Sequence, residues 1–195
     1  MPDAIATSVT NTNPNSCVYV QTERLCKPWN ISNDGLAFMS VCESGILNGT
    51  YKGMPVVDGM ILEVYIDSKG YPTVGFGHKV LPEDNLHVGD TISVDRARQL
   101  SKKNLHEATS AVNRRIHVPL MQYEFDALAS IALNAGGGGG FAGISTEVNK
   151  GVYANIPAFI RTYRAGGIAW RRALEARLFG SANYDATHGP GIVIE

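Results

Sequence analysis

The spacing of hydrophobic and polar positions divides the chain into an early helix, a short sheet and a longer helical part. Within residues 32–45, SNDGLAFMSVCESG, Leu36, Met39 and Glu43 recur at the intervals of three and four that share one helical face. The segment opens on Ser, Asn and Asp, which favour a helix N-terminus, and closes on Gly45, a common terminator. This pattern predicts a helix that ends near Glu43.

A second pattern, with a period of two, begins at residue 61 and indicates a sheet. Apolar and polar positions alternate in ILEVYID, namely Leu62, Val64 and Ile66 against Glu63, Tyr65 and Asp67. The turn SKGY and the short strand PTVGFGH follow, so we predict a hairpin sheet of two or three strands. The preceding segment 46–60, ILNGTYKGMPVVDGM, is rich in turn-forming residues and is predicted to be a loop or a short hairpin.

From residue 93 onward the hydrophobic period becomes helical. The predicted helical segments are 93–116, 122–136, 154–167 and 169–180. The expected fold class is therefore α+β and mostly α, with a small hairpin sheet and a helical lobe. We expect an irregular arm over 1–30, one domain over 31–182 and an irregular tail over 183–195. The glycine run 136–140 is predicted to be a mobile connection between helices.

Composition narrows the possible functions. Hydrophobic residues make up 44% and charged residues 18% of the 195 residues, as is typical of a globular domain with a core. The formal net charge of −1 lacks the basic excess of a nucleic-acid-binding surface, and no apolar run is long enough for a membrane span. The net charge therefore argues against a nucleic-acid partner. Because the histidines are scattered without metal-ligand spacing, we also expect no metal site.

The N-terminal residues MPDAIATSVTNTNPNS have neither the basic nor the apolar part of a signal peptide. We therefore expect synthesis in the cytoplasm without a signal peptide. The three cysteines argue against a complete disulfide framework. Cys17 and Cys26 are candidates for a pair across a short polar loop, whereas Cys42 is predicted to be a small buried side chain in the first helix.

The strongest chemical signal is the hairpin motif YIDSKGYPTVGFGH, residues 65–78. Asp67 stands at a strand end and Thr73 stands across the turn, so a carboxylate and a hydroxyl can address one water molecule. An inverting glycosidase requires that arrangement on the far side of the sugar. Gly75 and Gly77 leave the strand face open to a ligand. The structural alternative is an aspartate that only caps a turn.

Five blocks of the chain, in order, resemble the phage-type lysozymes (endolysins) of glycoside hydrolase family 24. They are SNDGLAFMSVCESG, YIDSKGYPTVGFGH, GDTISVDRARQL, VNRRIHVPLMQYEFDALASIALNAG and AGGIAWRRALEARLF. The resemblance implies a lysozyme-like fold and muramidase activity, which hydrolyses the β-1,4 bond between N-acetylmuramic acid and N-acetylglucosamine in peptidoglycan. It implies no metal and no organic cofactor. By the family motif, Asp67 and Thr73 handle the attacking water.

The proton donor is where the sequence departs from the family pattern, which has a Glu at the end of the first helix. The family spacing counted back from Asp67 reaches Asp58, a shorter side chain outside any predicted helix. Glu43 ends the predicted helix, and its fit requires an insertion over about residues 47–61, a mild entropic cost. Glu63 lies about 13 Å along the strand from Asp67, beyond the ~6.5–9.5 Å of an inverting pair. We predict Glu43, on the apolar face of its helix, with Asp58 and Glu63 as alternatives.

Substrate contacts are predicted for Tyr65, His78, Asn134 and Arg171. For His78 the structural alternative is a hydrogen bond made by a partly buried ring. For Arg171 it is a salt bridge with Glu175, one helical turn further on.

Two functions remain open at the level of sequence. The first is a peptidoglycan hydrolase that acts on the cell wall, in the periplasm, after release by a holin or by dedicated secretion. The second is a non-catalytic peptidoglycan-binding or structural module that has lost its proton donor. We expect a monomer whose partner is the peptidoglycan glycan strand, with an immunity protein or a fusion partner as further candidates.

Overall fold

The computed structural model describes residues 24–25 and 27–187. This part of the chain forms two compact units: a sheet unit, residues 33–105 with 185–187, and a helical unit, residues 24–25, 27–32 and 106–184. The predicted α+β class is confirmed, since most of the regular structure is helical and one small antiparallel sheet accompanies it.

The sheet unit begins with helix α1, Asn33–Ser44, and continues into a five-stranded antiparallel sheet. The strands lie side by side in chain order: β1 Gly49–Tyr51, β2 Met54–Val57, β3 Met60–Ile66, β4 Pro72–Gly75 and β5 His78–Lys79. Helix α2, Val94–Asn104, then begins after Ser93, whose side chain accepts a hydrogen bond from the Arg96 backbone N–H. The predicted first helix and the hairpin that carries Asp67 and Thr73 are therefore confirmed as secondary structure.

The sheet is larger than the two or three strands we predicted, because residues 47–61 form a hairpin, one of the two alternatives predicted for this segment, and pair with the rest of the sheet. They form β1, β2 and the first residues of β3. Two-residue turns, Lys52-Gly53 and Asp58-Gly59, join the paired strands. All four turn residues have φ between 50° and 86°. Type I′ hairpin turns need this left-handed region at both central positions.

The second of these turns packs tightly against helix α1. A Cβ atom at Gly59 would lie 2.6 Å from the Ser40 Cβ and 2.7 Å from the Val41 backbone nitrogen. Because Gly59 also has a φ of 78°, both the available space and the backbone conformation require glycine. The turn therefore anchors the sheet to the helix that carries Glu43.

One face of the sheet and helix α2 enclose the hydrophobic core of the sheet unit. Its buried members are Met60, Leu62, Val64, Val74, Ile92, Ala97 and Leu100. Burial of each larger apolar side chain stabilises the fold by roughly 1.5–3 kcal/mol. The predicted alternation is confirmed for Leu62 and Val64, but Ile66 is 52% exposed because it ends β3 beside an exposed turn.

The helical unit contains α3 His106–Arg115, α4 Gln122–Ala135, α5 Ala142–Val148, α6 Ile156–Thr162 and α7 Ala169–Ser181. Helix α4 packs against α3 and α7, as expected of the most apolar segment. The segment 93–116, predicted as one helix, is divided at the buried Leu105 into α2 and α3. In the described part of the chain, no helix is long and apolar enough to cross a membrane.

The described end of the predicted arm is attached to the helical unit. Arg24 forms an ion pair with Glu124, and their nearest side-chain nitrogen and oxygen are 2.7 Å apart. Cys17 and Cys26, and therefore their candidate pairing, lie outside the described residues. Cys42 is a buried side chain in α1, as predicted.

The glycine run 136–140 has specific contacts that the prediction of a mobile connection did not include. The Tyr163 hydroxyl donates a hydrogen bond to the Gly140 carbonyl at 2.8 Å and accepts one from the Gly143 N–H at 3.2 Å. A Cβ atom at Gly137 would lie 2.8 Å from a neighbouring side chain. Close packing, in addition to flexibility, therefore explains why glycine occupies this connection.

Candidate active site

Asp67 lies directly after β3, at the start of the turn into β4. Its Oδ1 accepts hydrogen bonds from the backbone N–H groups of Lys69 and Tyr71, both at 2.8 Å. The Tyr71 N–H lowers the pKa of Asp67 most, and the Lys69 N–H and the Thr73 side chain lower it further. The side chain is therefore a turn cap and, at the same time, a carboxylate held in its ionised form.

Thr73 lies on β4 directly opposite Tyr65 on β3, so both side chains project from the same face of the sheet. Thr73 is 4% exposed, and its hydroxyl donates to the Tyr71 carbonyl at 3.1 Å. A side-chain hydrogen bond with Thr73 is also one of the causes that lower the pKa of Asp67. A hydroxyl rotates and can serve either acceptor. The fold thus brings Tyr65, Asp67 and Thr73 together, as the hairpin motif predicts.

The Tyr65 side chain lies between this pair and a second aromatic ring. Its ring is half-buried and meets the Tyr51 ring edge-on, with centroids 6.5 Å apart and an interplanar angle of 60°. Burial raises the pKa of Tyr65, and the neighbouring Tyr51 and Asp67 raise it further. Tyr65 therefore remains a neutral hydroxyl donor beside the carboxylate. Tyr51 was not among the residues predicted from the sequence.

Glu43 lies in the last turn of α1, and its side chain is exposed. We expected an apolar setting, since Glu43 shares a helical face with Leu36 and Met39. Those two side chains are completely buried, but Glu43 is not. Glu43 is one helical turn beyond Met39, where the helix leaves the core and ends at Gly45, whose N–H donates to the Val41 carbonyl. Helix α1 itself packs against β3.

Asp58, the first alternative donor, is a turn residue with a φ of 50°. Its carboxylate accepts a hydrogen bond from Arg98 of α2 at 2.7 Å, and its backbone N–H donates to Asn48. Arg98 is also bound to Asp95. The Asp-Gly sequence that matched the family spacing therefore has a structural explanation as a hairpin turn tied to a helix.

Glu63, the second alternative, is half-buried within β3, four positions before Asp67. It forms an isolated backbone bridge with Thr91. Glu63 lies in the strand as predicted, so its separation from Asp67 is about 13 Å along the strand.

His78 is 3% exposed, and both of its ring nitrogens have protein partners. Nε2 lies 2.7 Å from Asp84 Oδ2, and Nδ1 lies 3.0 Å from Asn104 Oδ1. Burial opposes the ionisation of Asp84, but the bonds from His78 and from the Leu81 N–H outweigh it, so its pKa is lowered. This geometry favours the structural role for His78 over the predicted substrate contact.

Asn134 and Arg171 belong to the helical unit, where they join a buried network around Glu175. Arg171 Nε lies 3.3 Å from Glu175 Oε1, which is the salt bridge given above as the structural alternative. Arg172 is fully buried, binds Glu175 Oε2 and donates to Asn134 Oδ1 at 2.7 Å. Ser130 donates to Glu175 Oε1 at 2.6 Å. Asn134 itself is exposed, so it retains the accessibility that a substrate contact requires.

A helix, a small antiparallel sheet whose hairpin carries Asp67 and Thr73, and a separate group of helices define a lysozyme-like α+β protein. A crystal structure of a P22 lysozyme mutant shares the fold, with a TM-score of 0.59 and 28% identity. That match covers 78% of this chain and 99% of the other. The family model for phage lysozyme matches residues 56–177.

Two curated relatives agree with that assignment. The endolysin of Salmonella phage P22 is 34% identical over 113 residues, which is 56% of this chain and 77% of the relative. The endolysin of Acyrthosiphon pisum secondary endosymbiont phage 1 is 29% identical over 147 residues, 67% of this chain and 97% of the relative. The chain therefore belongs to the phage lysozyme family, as its motifs predicted. Membership supports peptidoglycan hydrolysis as its general activity.

Proposed function

We propose that the chain is a muramidase that cleaves the β-1,4 bond between N-acetylmuramic acid and N-acetylglucosamine. The observation that carries this proposal is the cluster on one hairpin, in which Asp67 has a lowered pKa and lies beside Thr73 and Tyr65. The substrate is the peptidoglycan glycan strand, reached after release by a holin or by dedicated secretion.

In this proposal Asp67 acts on the attacking water. The backbone N–H groups of Tyr71 and Lys69 keep its carboxylate ionised, so that it accepts a hydrogen bond from the water at neutral pH. The Thr73 oxygen makes the second contact with the same water. The water then attacks the anomeric carbon opposite the leaving oxygen, inverts that carbon and passes its proton to Asp67. Because a lowered pKa makes Asp67 a weak base, orientation of the water is its larger contribution.

The proton for the leaving oxygen comes from Glu43. Its helix packs against β3, the strand that leads into Asp67, and its exposed side chain can reach a bound glycan and exchange protons with solvent. The alternatives are weaker on geometry. Asp58 is bound to Arg98, and Glu63 lies about 13 Å from Asp67 along the strand, beyond the ~6.5–9.5 Å of an inverting pair.

One observation favours a second function, which is binding of peptidoglycan without hydrolysis. Glu43 is exposed and lacks the enclosed apolar setting that is typical of a general acid. If binding of the glycan does not supply that setting, the chain binds peptidoglycan and does not cleave it.

Clearing of a suspension of purified peptidoglycan separates these two functions. We expect the wild-type chain to clear the suspension and to create new reducing ends on N-acetylmuramic acid, detected by borohydride reduction and mass spectrometry of the products. New reducing ends on N-acetylglucosamine would contradict the assigned bond. Sedimentation of the chain with peptidoglycan, but no clearing at any pH, would support the binding module.

The donor is tested by three amide variants measured in parallel: Glu43→Gln, Asp58→Asn and Glu63→Gln. We expect Glu43→Gln to lose at least about a hundredfold in rate, the lower range for a general acid. The other two variants are matched controls, since each removes one carboxylate of the same unit and should retain activity. Full activity of Glu43→Gln would overturn its assignment.

A further inference from the structure

A stripe of side chains crosses the sheet on the face that carries Thr73. Thr73 pairs with Tyr65 on one side and with Lys79 on the other, and paired residues project from the same face. Tyr51, on the edge strand β1, extends the stripe by its edge contact with Tyr65. From β1 to β5 there are four inter-strand steps of about 4.8 Å, or about 19 Å in all. The stripe is therefore long enough for several sugar rings.

The hairpin of β1 and β2 holds Tyr51 in a defined position. Tyr51 pairs with Met54 across the Lys52-Gly53 turn. Both turn residues have positive φ, 50° and 86°, which matches the strand twist of a type I′ hairpin. The Tyr51 ring remains half-exposed, and the exposed Lys52 carries its ammonium 5.3 Å from the ring centroid. The hairpin tip thus presents an aromatic ring and a cation together.

We propose that Tyr51 and Lys52 form an additional substrate subsite for an acidic amino sugar of the glycan strand. This inference rests on the proposed function, because it extends the same site away from Asp67. The apolar face of a sugar ring packs on an aromatic side chain, and the half-exposed Tyr51 ring offers such a face beside Tyr65. N-acetylmuramic acid carries a carboxylate on its lactyl group or on the attached peptide, and Lys52 is the cation that faces it.

The chain offers variants that separate substrate binding from folding. Tyr51→Phe keeps the ring, whereas Tyr51→Leu keeps apolar packing against Tyr65 but removes the aromatic face. Thr50→Ala is the matched control, since Thr50 is exposed on the same strand and projects from the opposite face. Lys52→Gln removes the charge and leaves the aromatic ring in place.

Two measurements on the full chain decide the question. The first is hydrolysis of soluble glycan strands, with kcat and KM determined separately. The second is cosedimentation with intact peptidoglycan in the Asp67→Asn background, which reports binding without turnover. Thermal unfolding of each variant shows that the fold is retained.

We expect Tyr51→Leu to raise KM about threefold to tenfold and to weaken cosedimentation by a similar factor, with kcat within about twofold of wild type. Thr50→Ala should behave like wild type, and Tyr51→Phe, which keeps the aromatic ring, should bind more tightly than Tyr51→Leu. Lys52→Gln should weaken binding to intact peptidoglycan but not to neutral β-1,4-linked N-acetylglucosamine oligomers.

The subsite and the proposed function fail in different ways. Unchanged KM and cosedimentation of Tyr51→Leu, in a chain whose wild type hydrolyses peptidoglycan, would overturn the subsite alone. A wild type that binds but does not hydrolyse would overturn the muramidase proposal, while the binding comparison still decides the subsite. A wild type that neither binds nor hydrolyses would overturn both.

Discussion

Asp67 in the sheet unit and Glu175 in the helical unit are both carboxylates surrounded by donors, yet the donors differ in kind. Asp67 accepts two backbone N–H groups within its own turn and is partly exposed. Glu175 is completely buried and binds two guanidinium groups and a serine hydroxyl. Backbone donors hold a carboxylate in place without neutralising its charge, so Asp67 stays available to a water.

The surroundings of Asp67 suit a carboxylate that contacts a ligand, whereas those of Glu175 suit one that stabilises the fold. The charge of Glu175 is matched by Arg171 and Arg172, and removal of one partner of a buried ion pair leaves the others uncompensated. Asp67 is partly exposed, and an asparagine at this position can still accept the two backbone hydrogen bonds of the turn. We therefore expect changes at Asp67 to affect activity and changes at Glu175 to affect stability.

The largest effect is expected for Asp67→Asn. Hydrolysis of purified peptidoglycan should fall by at least about a hundredfold, because an amide neither takes up the proton nor orients the water as a carboxylate does. The melting temperature should stay close to that of wild type. Asp95→Asn is the control, since it removes an exposed carboxylate from the same unit and should leave hydrolysis unchanged. Retention of more than half the activity by Asp67→Asn would show that Asp67 is not required for hydrolysis.

The next effect is expected for Glu175→Gln, measured by urea unfolding. The free energy of unfolding should fall by about 3–5 kcal/mol, because two buried guanidinium groups lose their counter-charge. Glu147→Gln breaks the solvent-exposed pair with Lys150 and should cost less than about 1 kcal/mol. Similar small losses in both variants would show that burial does not separate the two kinds of ion pair.

A pH-dependent effect is expected for Asp84→Asn. Asp84, like Glu175, is a buried carboxylate, but it belongs to the sheet unit. The pKa of Asp84 is lower in the folded chain than the unfolded value of about 3.9, so its interactions stabilise the fold above that value. This stability is lost as the pH falls through the folded pKa. At pH 7 the variant should be about 1–3 kcal/mol less stable than wild type. Urea unfolding should show the difference shrink below about pH 4; a constant difference from pH 7 to pH 3 would contradict it.

The smallest effect is expected for Asp58→Asn. Asparagine tolerates the positive φ of this turn position, and the partly exposed ion pair with Arg98 contributes at most about 1 kcal/mol. We expect nearly wild-type melting and hydrolysis. A large loss of hydrolysis without a loss of stability would instead identify Asp58 as the proton donor.

The strands and turns that depend on neighbouring residues could be predicted from the sequence. The alternation through Leu62 and Val64 predicted the central strand, and the motif from Tyr65 to Thr73 predicted the hairpin of β3 and β4. The β1–β2 hairpin was also readable in principle, because Lys52-Gly53 and Asp58-Gly59 suit two-residue turns. The turn-forming residues of segment 46–60 predicted a loop or a short hairpin, and the short hairpin is the alternative that the structure has.

Contacts between distant residues were beyond a single sequence. The network that joins Arg172 to Asn134 spans 38 positions, and no periodicity marks such a pair. His78 contacts Asp84, six positions on, because a short 3-10 turn at Pro82–Asp84 follows β5. The exposure of Glu43 depends on where helix α1 leaves the core, and helical spacing alone does not contain that information.

The two turns of the β1–β2–β3 meander differ in a way that bears on evolution and engineering. Gly53, at the first turn, has open space around the position of a Cβ atom, whereas Gly59 has none. Extra residues added at the first turn project away from the protein, while any added at the second displace helix α1 and, with it, Glu43. The fold should therefore tolerate loop grafts, tags and length variation at the first turn and reject them at the second.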